Sequence, residues 1–116
     1  NGGANDTGSW IAQYPPAVTD ARGQKATAER FTWEGKVSFQ GQFGSATITV
    51  PFKKVQSIKV VAGQPNIPPT QVFAKMTLRG GETLDLTLDR ASKCYGETAY
   101  GNYEIFLKDV AEITFQ

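Results

Sequence analysis

The chain has 116 residues, 40% hydrophobic and 20% charged, with 12 Lys and Arg set against 11 Asp and Glu for a net charge of +1. Such a composition describes one globular domain able to bury a core without staples, and its scattered, balanced charge leaves no electrostatic footprint for nucleic acid or an anionic membrane. Histidine is absent and Cys94 is the single cysteine, so Ser-His-Asp and Cys-His nucleophiles, His-ligated metals, an intramolecular disulfide and a structural zinc are all excluded from this chain alone.

Residues 1–16 read as a flexible polar lead. Its Gly-rich opening, Asn1 to Ser9, is of the kind that follows a removed signal peptide or an artificially trimmed end, and an exported chain, secreted or periplasmic in a bacterial envelope, is the expectation. Trp10, Ile11 and Tyr14 are expected to dock on the domain, and Pro15-Pro16 bars a helix. Asn5-Asp6-Thr7 fits a glycosylation acceptor that matters only in a eukaryotic secretory chain. No apolar run approaches the roughly 20 residues needed to span a bilayer as a helix.

Residues 17–116 are expected to form a single β domain. Val18 to Arg22 is a short strand ending at Gly23, and Thr27 to Trp33 a longer one in which Phe31 and Trp33 share a face. Val37, Phe39 and Gly41 mark a third strand, Thr47 to Phe52 a fourth and Ser57 to Ala62 a fifth. Gly63 to Thr70, with Pro65, Pro68 and Pro69, is the breaker-rich connection. Strands near 71–79, 83–89, 92–96, 102–107 and 111–115 follow, and no segment carries the sustained period and caps of an α-helix.

The strongest pattern is a recurrence. Ile48, Val50, Phe52, Val55, Ile58 and Val60 fall on Tyr103, Ile105, Leu107, Val110, Ile113 and Phe115 at an offset of 55 residues. Gly41 falls on Gly96 and Phe39 on Cys94. The recurrence predicts two pseudo-symmetric units, near 17–62 and 71–116 with 63–70 between them, each burying its apolar face against the other. Val55 and Val110 are expected inside a helical or 3-10 turn between strands.

Alternation of apolar and polar residues along every strand marks antiparallel sheets with one buried and one wet face. The fold class is therefore all-β, an antiparallel β-sandwich or small barrel. At Gly80-Gly81 a two-residue loop would set polar against apolar side chains. A three-residue loop, Gly80 to Glu82, pairs Leu78 with Leu84, Met76 with Leu86 and Ala74 with Leu88 and keeps one face apolar.

No catalytic site is expected. Glu34, Asp85, Asp89, Glu97 and Glu104 could supply the two carboxylates of a glycosidase, but charges alternating with apolar residues on strands are chiefly solvent-face residues. Cys94 is expected as a half-buried structural thiol, lacking a base. Gly80-Gly81 and Gly101 read as turn formers rather than a phosphate loop. No cofactor and no metal are expected; Asn5-Asp6 and the loops offer oxygen ligands for calcium but no spaced acidic series. The best place for binding is Tyr95 to Tyr103, where Tyr95, Tyr100 and Asn102 are the candidate ligand-binding residues, since an aromatic ring with a polar edge can stack on sugars or peptides. Tyr103 and Trp33 are expected in the core.

The run Gly101 to Phe115, preceded by a Thr-x-x-Gly turn at Thr98 and Gly101 and closing on Ile113-x-Phe115, resembles a segment of uncharacterised exported bacterial β-rich domains of unknown function. Ser45 to Val60 looks like a second, degenerate instance. The resemblance implies a location and a fold rather than an activity. The functional expectation is a non-enzymatic envelope or extracellular binding module for a protein or polysaccharide ligand. The alternatives are a structural or assembly subunit that self-associates through sheet edges, and third a carboxylate-dependent hydrolase acting through Glu34 and Asp89. The oligomeric state is left open.

Overall fold

The computed structural model describes residues 15–115. The expectations for Trp10, Ile11, Tyr14, the Asn5-Asp6-Thr7 triplet and most of the lead lie outside the described residues. Eleven strands follow in order: β1 (Ala17–Asp20), β2 (Lys25–Thr27), β3 (Glu29–Trp33), β4 (Ser38–Phe43), β5 (Ala46–Pro51), β6 (Val55–Val61), β7 (Gln71–Leu78), β8 (Thr83–Asp89), β9 (Lys93–Thr98), β10 (Gly101–Phe106) and β11 (Val110–Thr114). Two single-turn 3-10 segments, Phe52–Lys54 and Leu107–Asp109, precede β6 and β11. Val55 and Val110 were expected inside those turns. They instead open the following strands in extended backbone, because each N–H already bonds back to the first residue of the turn, Phe52 or Leu107.

All pairing is antiparallel, in an eight-stranded sheet of order β2-β1-β11-β6-β7-β8-β4-β5 and a three-stranded sheet β10-β9-β3. Among the described residues neither sheet closes on itself, so the all-β fold is sandwich-like rather than a barrel. The 63–70 segment is the connection of a hairpin, since Val61 lies opposite Phe73 directly across it. The bounds of β4, β5 and the first 3-10 turn reappear 55 residues later in β9, β10 and the second. The strands that carry these segments are interlaced. The β4–β5 hairpin hangs on β8 (Gln42 opposite Thr87), while β9–β10 hangs on β3 (Thr32 opposite Tyr95). At the centre β6 meets β11 with Ile58 opposite Ile113, two positions that are themselves 55 apart.

The 55-residue offset does not extend to β1 and β2. The β1–β2 pairs Val18–Ala26 and Thr19–Lys25 fall on Met76–Leu84 and Thr77–Thr83 of β7–β8 at an offset of 58, whereas Phe31 and Trp33 fall on Leu86 and Leu88 at 55, so three extra residues lie between Ala26 and Phe31. The expected continuous strand over Thr27 to Trp33 is broken there. Ala28 is fully buried with its N–H bonded to Pro16 C=O at 3.0 Å, and Arg30 takes a positive φ of 51°. The left-handed Arg30 sits at the register shift of the β3–β9 ladder, between Glu29 opposite Glu97 and Thr32 opposite Tyr95, and β3, β9 and β10 form a sheet of their own while β8 belongs to the large one.

The loop at the tip of β7–β8 is three residues long, as the apolar pattern requires, but starts one residue earlier than expected. Leu78 N–H bonds to Glu82 C=O and Gly81 N–H to Leu78 C=O. Met76 therefore faces Leu84 and Ala74 faces Leu86, a register two residues away from the expected one. The third residue of such a loop is left-handed, and Gly81 with φ +97° fills that place only if the loop is Arg79 to Gly81.

The core is mainly aromatic on one side. Phe52 lies with its ring centroid 4.8 Å from Phe39 and 4.9 Å from Phe115, and Phe31 stands 5.8 Å from Phe52. Phe31, Phe39 and Phe52 are buried, and burying each such ring contributes roughly 1.5–3 kcal/mol. At the 55-residue offset their places are taken by Leu86, Cys94 and Leu107, also buried. Trp33 is in the core as expected, its Nε1–H donating to Ser92 Oγ at 2.9 Å.

Candidate functional site

Residues of β9 and β10 alternate between two faces, and their register fixes which meet. Lys93, Tyr95 and Glu97 lie opposite Phe106, Glu104 and Asn102 on the outer face, while Cys94 and Gly96 lie opposite Ile105 and Tyr103 on the inner one. Gly96 is required on the inner face, because a Cβ there would sit 2.8 Å from Ala28 Cβ. The turn is held by Thr98, whose Oγ1 donates to Gly101 C=O at 3.0 Å and accepts from Tyr100 N–H at 3.1 Å.

Three of the four exposed large hydrophobic side chains of the described residues are on this hairpin: Tyr95 at 40%, Tyr100 at 98% and Phe106 at 40% exposure. Lys93 Nζ stands 5.0 Å from the Phe106 ring centre and 5.9 Å from that of Tyr95, and 3.3 Å from Glu104 Oε1. A cation held over a ring face gains electrostatically from the ring quadrupole, so Lys93 braces both aromatics. Arg30 reaches from β3 to Glu97 at 2.7 Å, and that hydrogen bond and charge hold its guanidinium protonated even more firmly than usual. Arg30, Tyr95, Glu97, Asn102 and Glu104 line a shallow depression of about 220 Å³.

Of the sequence candidates, Tyr95 and Asn102 thus share one depression. Tyr100 does not join them; it stands at the turn and borders a separate hollow with Ala26, Thr27 and Ala99. Tyr103 is half-buried against the core, and its hydroxyl pKa is raised by burial, then by the charges of Asp20 and Cys94. Phe106 and Lys93 were not picked out from the sequence. Phe106 sits in the apolar run Ile105-Phe106-Leu107, in which only the register with β9 reveals the residue that faces outward.

The hairpin also presents a sheet edge. Leu107 N–H bonds to Ser92 C=O at 2.8 Å, and bonded and non-bonded pairs alternate along an antiparallel ladder. Tyr103 and Ile105 therefore bond to β9, whereas the main-chain groups of Asn102, Glu104 and Phe106 point away from it. Among the described residues β10 pairs with β9 alone. The same argument from Phe52 N–H to Val37 C=O at 2.9 Å places Thr47, Thr49 and Pro51 outward on β5, the other hairpin's edge. Proline has no N–H, so that edge is blunted at one end. The β10 edge faces a hollow of about 490 Å³ whose other wall is the β1–β2 turn with Asp20 and Arg22.

The carboxylates Glu34, Asp85 and Asp89 have partners. Glu34 Oε2 accepts from Lys93 N–H at 2.7 Å, Asp85 pairs with Lys75 at 3.1 Å, and Asp89 Oδ1 accepts from Ala91 N–H at 2.9 Å. Cys94, expected half-buried, is fully buried because it replaces a core phenyl ring; burial first, and then the charge of Glu34, push its thiol up to about 12. Among the described residues no group of three or more His, Cys, Asp or Glu is placed to hold a metal ion, and no helix is long and apolar enough to cross a membrane.

A protein-family model described as an uncharacterised protein matches residues 13–116. No curated protein matches the chain.

Proposed function

The chain belongs to that family of uncharacterised proteins, and from its geometry we propose that it is a non-enzymatic binding module that takes up an extended polypeptide along the β9–β10 hairpin. The observation that carries this reading is the coincidence on one hairpin of an outward-facing main-chain edge and three exposed aromatic side chains. Strand addition draws affinity from main-chain hydrogen bonds and specificity from alternate side chains. Phe106 and Tyr95, braced by Lys93, would read those side chains on the outer face. A buried, firmly protonated thiol and carboxylates engaged with neighbouring N–H groups and lysines support a binding rather than a catalytic role.

The shared bounds of the two hairpin, turn and strand segments support reading the domain as two copies of one unit, of which the second has become the binding copy. Titration of the labelled protein with a pool of ten-residue peptides of alternating apolar and polar residues tests the proposal. Amide shifts centred on Asn102, Glu104 and Phe106 are expected. Shifts centred on another surface, or with polysaccharides only, would overturn it.

The second reading is an assembly subunit that self-associates through its sheet edges. The contrast of Phe106 with Pro51 at the equivalent edge position favours it.

A further inference from the structure

We propose that the occupant of the β10 edge is the β10 edge of a second copy of this chain, paired antiparallel about a two-fold axis at Tyr103. This deepens the reading of the hairpin as the docking element and rests on it. The outward N–H and C=O groups of Asn102, Glu104 and Phe106 call for a strand, and the side chains discriminate among registers. Three self-pairings keep those groups facing each other, with the axis at Tyr103, Glu104 or Ile105.

An axis at Glu104 sets that carboxylate directly against its own copy, and like charges directly opposite are unfavourable. An axis at Ile105 runs the overlap into Leu107–Asp109, which has already left the strand as a 3-10 turn. An axis at Tyr103 overlaps Gly101 to Ile105 fully. It lays the Asn102 amide against Glu104 of the second copy, and brings Tyr100, 98% exposed, across from the second copy's Phe106, 40% exposed. Both aromatics are covered and no like charges meet. The hollow between β10 and the Asp20 to Arg22 turn leaves space on the inner side for the incoming Tyr103. Pairing would fuse two three-stranded sheets into one of six strands. The contact is short, so the dimer is expected to be weak, with a dissociation constant on the order of 10–100 μM.

Sedimentation of the full chain from about ten-fold below to ten-fold above that range tests the inference, with three variants. In Phe106→Pro the ring and an outward donor are lost while the fold is kept, because Phe106 has φ −72° and ψ 144° against −65° and 145° for Pro51; circular dichroism checks that it folds. Wild type is expected to double in mass with concentration, and Phe106→Pro to weaken that association at least ten-fold. Asn102→Glu, which sets like charges against Glu104 of the second copy and against Glu97 of its own hairpin, is expected to weaken it similarly, and adding Glu104→Asn, which restores amide against carboxylate across the interface only, to recover part of the loss. A folded Phe106→Pro that still dimerises as wild type would remove the β10 edge from the interface. A double variant no better than Asn102→Glu would refute the Tyr103 register. A wild type that stays monomeric throughout would overturn self-pairing; peptide-induced shifts at Asn102 and Glu104 would then leave the hairpin reading standing, and their absence would remove both.

Discussion

The β4–β5 and β9–β10 hairpins share their strand lengths and pairing register and differ in what they do with aromatic side chains. Each begins with a bond from the first 3-10 residue back across the hairpin, Phe52 to Val37 and Leu107 to Ser92. Each also has a glycine where the neighbouring strand leaves no room for a Cβ, at Gly41 and Gly96. In the first, Phe39 and Phe52 point inward, Phe43 alone stands outside, and the edge ends in Pro51. In the second, Cys94 and Leu107 take the inner places, and Tyr95, Tyr100 and Phe106 stand outside. The first hairpin gives its aromatics mainly to the core and the second carries three of them outside, which teaches that strand bounds and register leave the division between buried and exposed aromatics to a few side-chain exchanges.

Truncating the core should expose this division first. Phe52→Ala is expected to cost about 3–5 kcal/mol, at the upper end because its ring contacts Phe31, Phe39 and Phe115. Leu107→Ala, its counterpart at the 55-residue offset, should fall nearer the lower end of the about 2–5 kcal/mol range for buried leucines, measured by denaturant unfolding. Equal costs would break the claimed asymmetry.

The two glycines sharpen the comparison next. A Cβ at Gly41 would lie 2.6 Å from the Thr87 carbonyl oxygen, a backbone atom, whereas at Gly96 the nearest atom is Ala28 Cβ at 2.8 Å. Gly41→Ala and Gly96→Ala should each destabilise by about 1–3 kcal/mol, Gly41→Ala by more, because a backbone carbonyl gives way less easily than a side-chain methyl.

Cys94 should distinguish the halves by pH. Its folded pKa is raised from the ordinary 9.0 to about 12, so the neutral thiol's contribution is fully present below about pH 9 and is lost as pH climbs toward 12. Stability should therefore fall through that window, by up to about 1.4 kcal/mol per pH unit from this group. Cys94→Ala, itself less stable, should show a shallower decline over pH 9 to 11. An unchanged slope would contradict the burial argument. The smallest effect belongs to the surface: Glu97→Gln removes an ion pair whose side chains are 67% and 48% exposed, and should leave the denaturant midpoint close to that of the wild type.

Much of this architecture was written locally. Alternation marked most strands, the Ile48 to Val60 and Tyr103 to Phe115 patterns marked matching segments, and Gly80-Gly81 marked an odd-length loop. The missing parts were non-local or conformational. Nothing in Ala28-Glu29-Arg30 advertises a break, because the left-handed residue is Arg30 rather than a glycine. With Gly80 and Gly81 adjacent, either loop placement keeps the apolar face, and only the need for a left-handed third residue decides between them. Tyr95, Tyr100 and Asn102 were legible as polar-edged residues near a turn. Phe106 was hidden inside an apolar triplet, and the edge it belongs to exists only once β9 has been paired on one side.

The contrast between the two edges is tested most directly by amide hydrogen exchange at rising protein concentration. The Asn102 and Glu104 amides should exchange fast in dilute solution and become protected as concentration rises, while those of Thr47 and Thr49 stay fast throughout. Protection that appears at Thr47 and Thr49 as well, or at neither edge, would contradict the account.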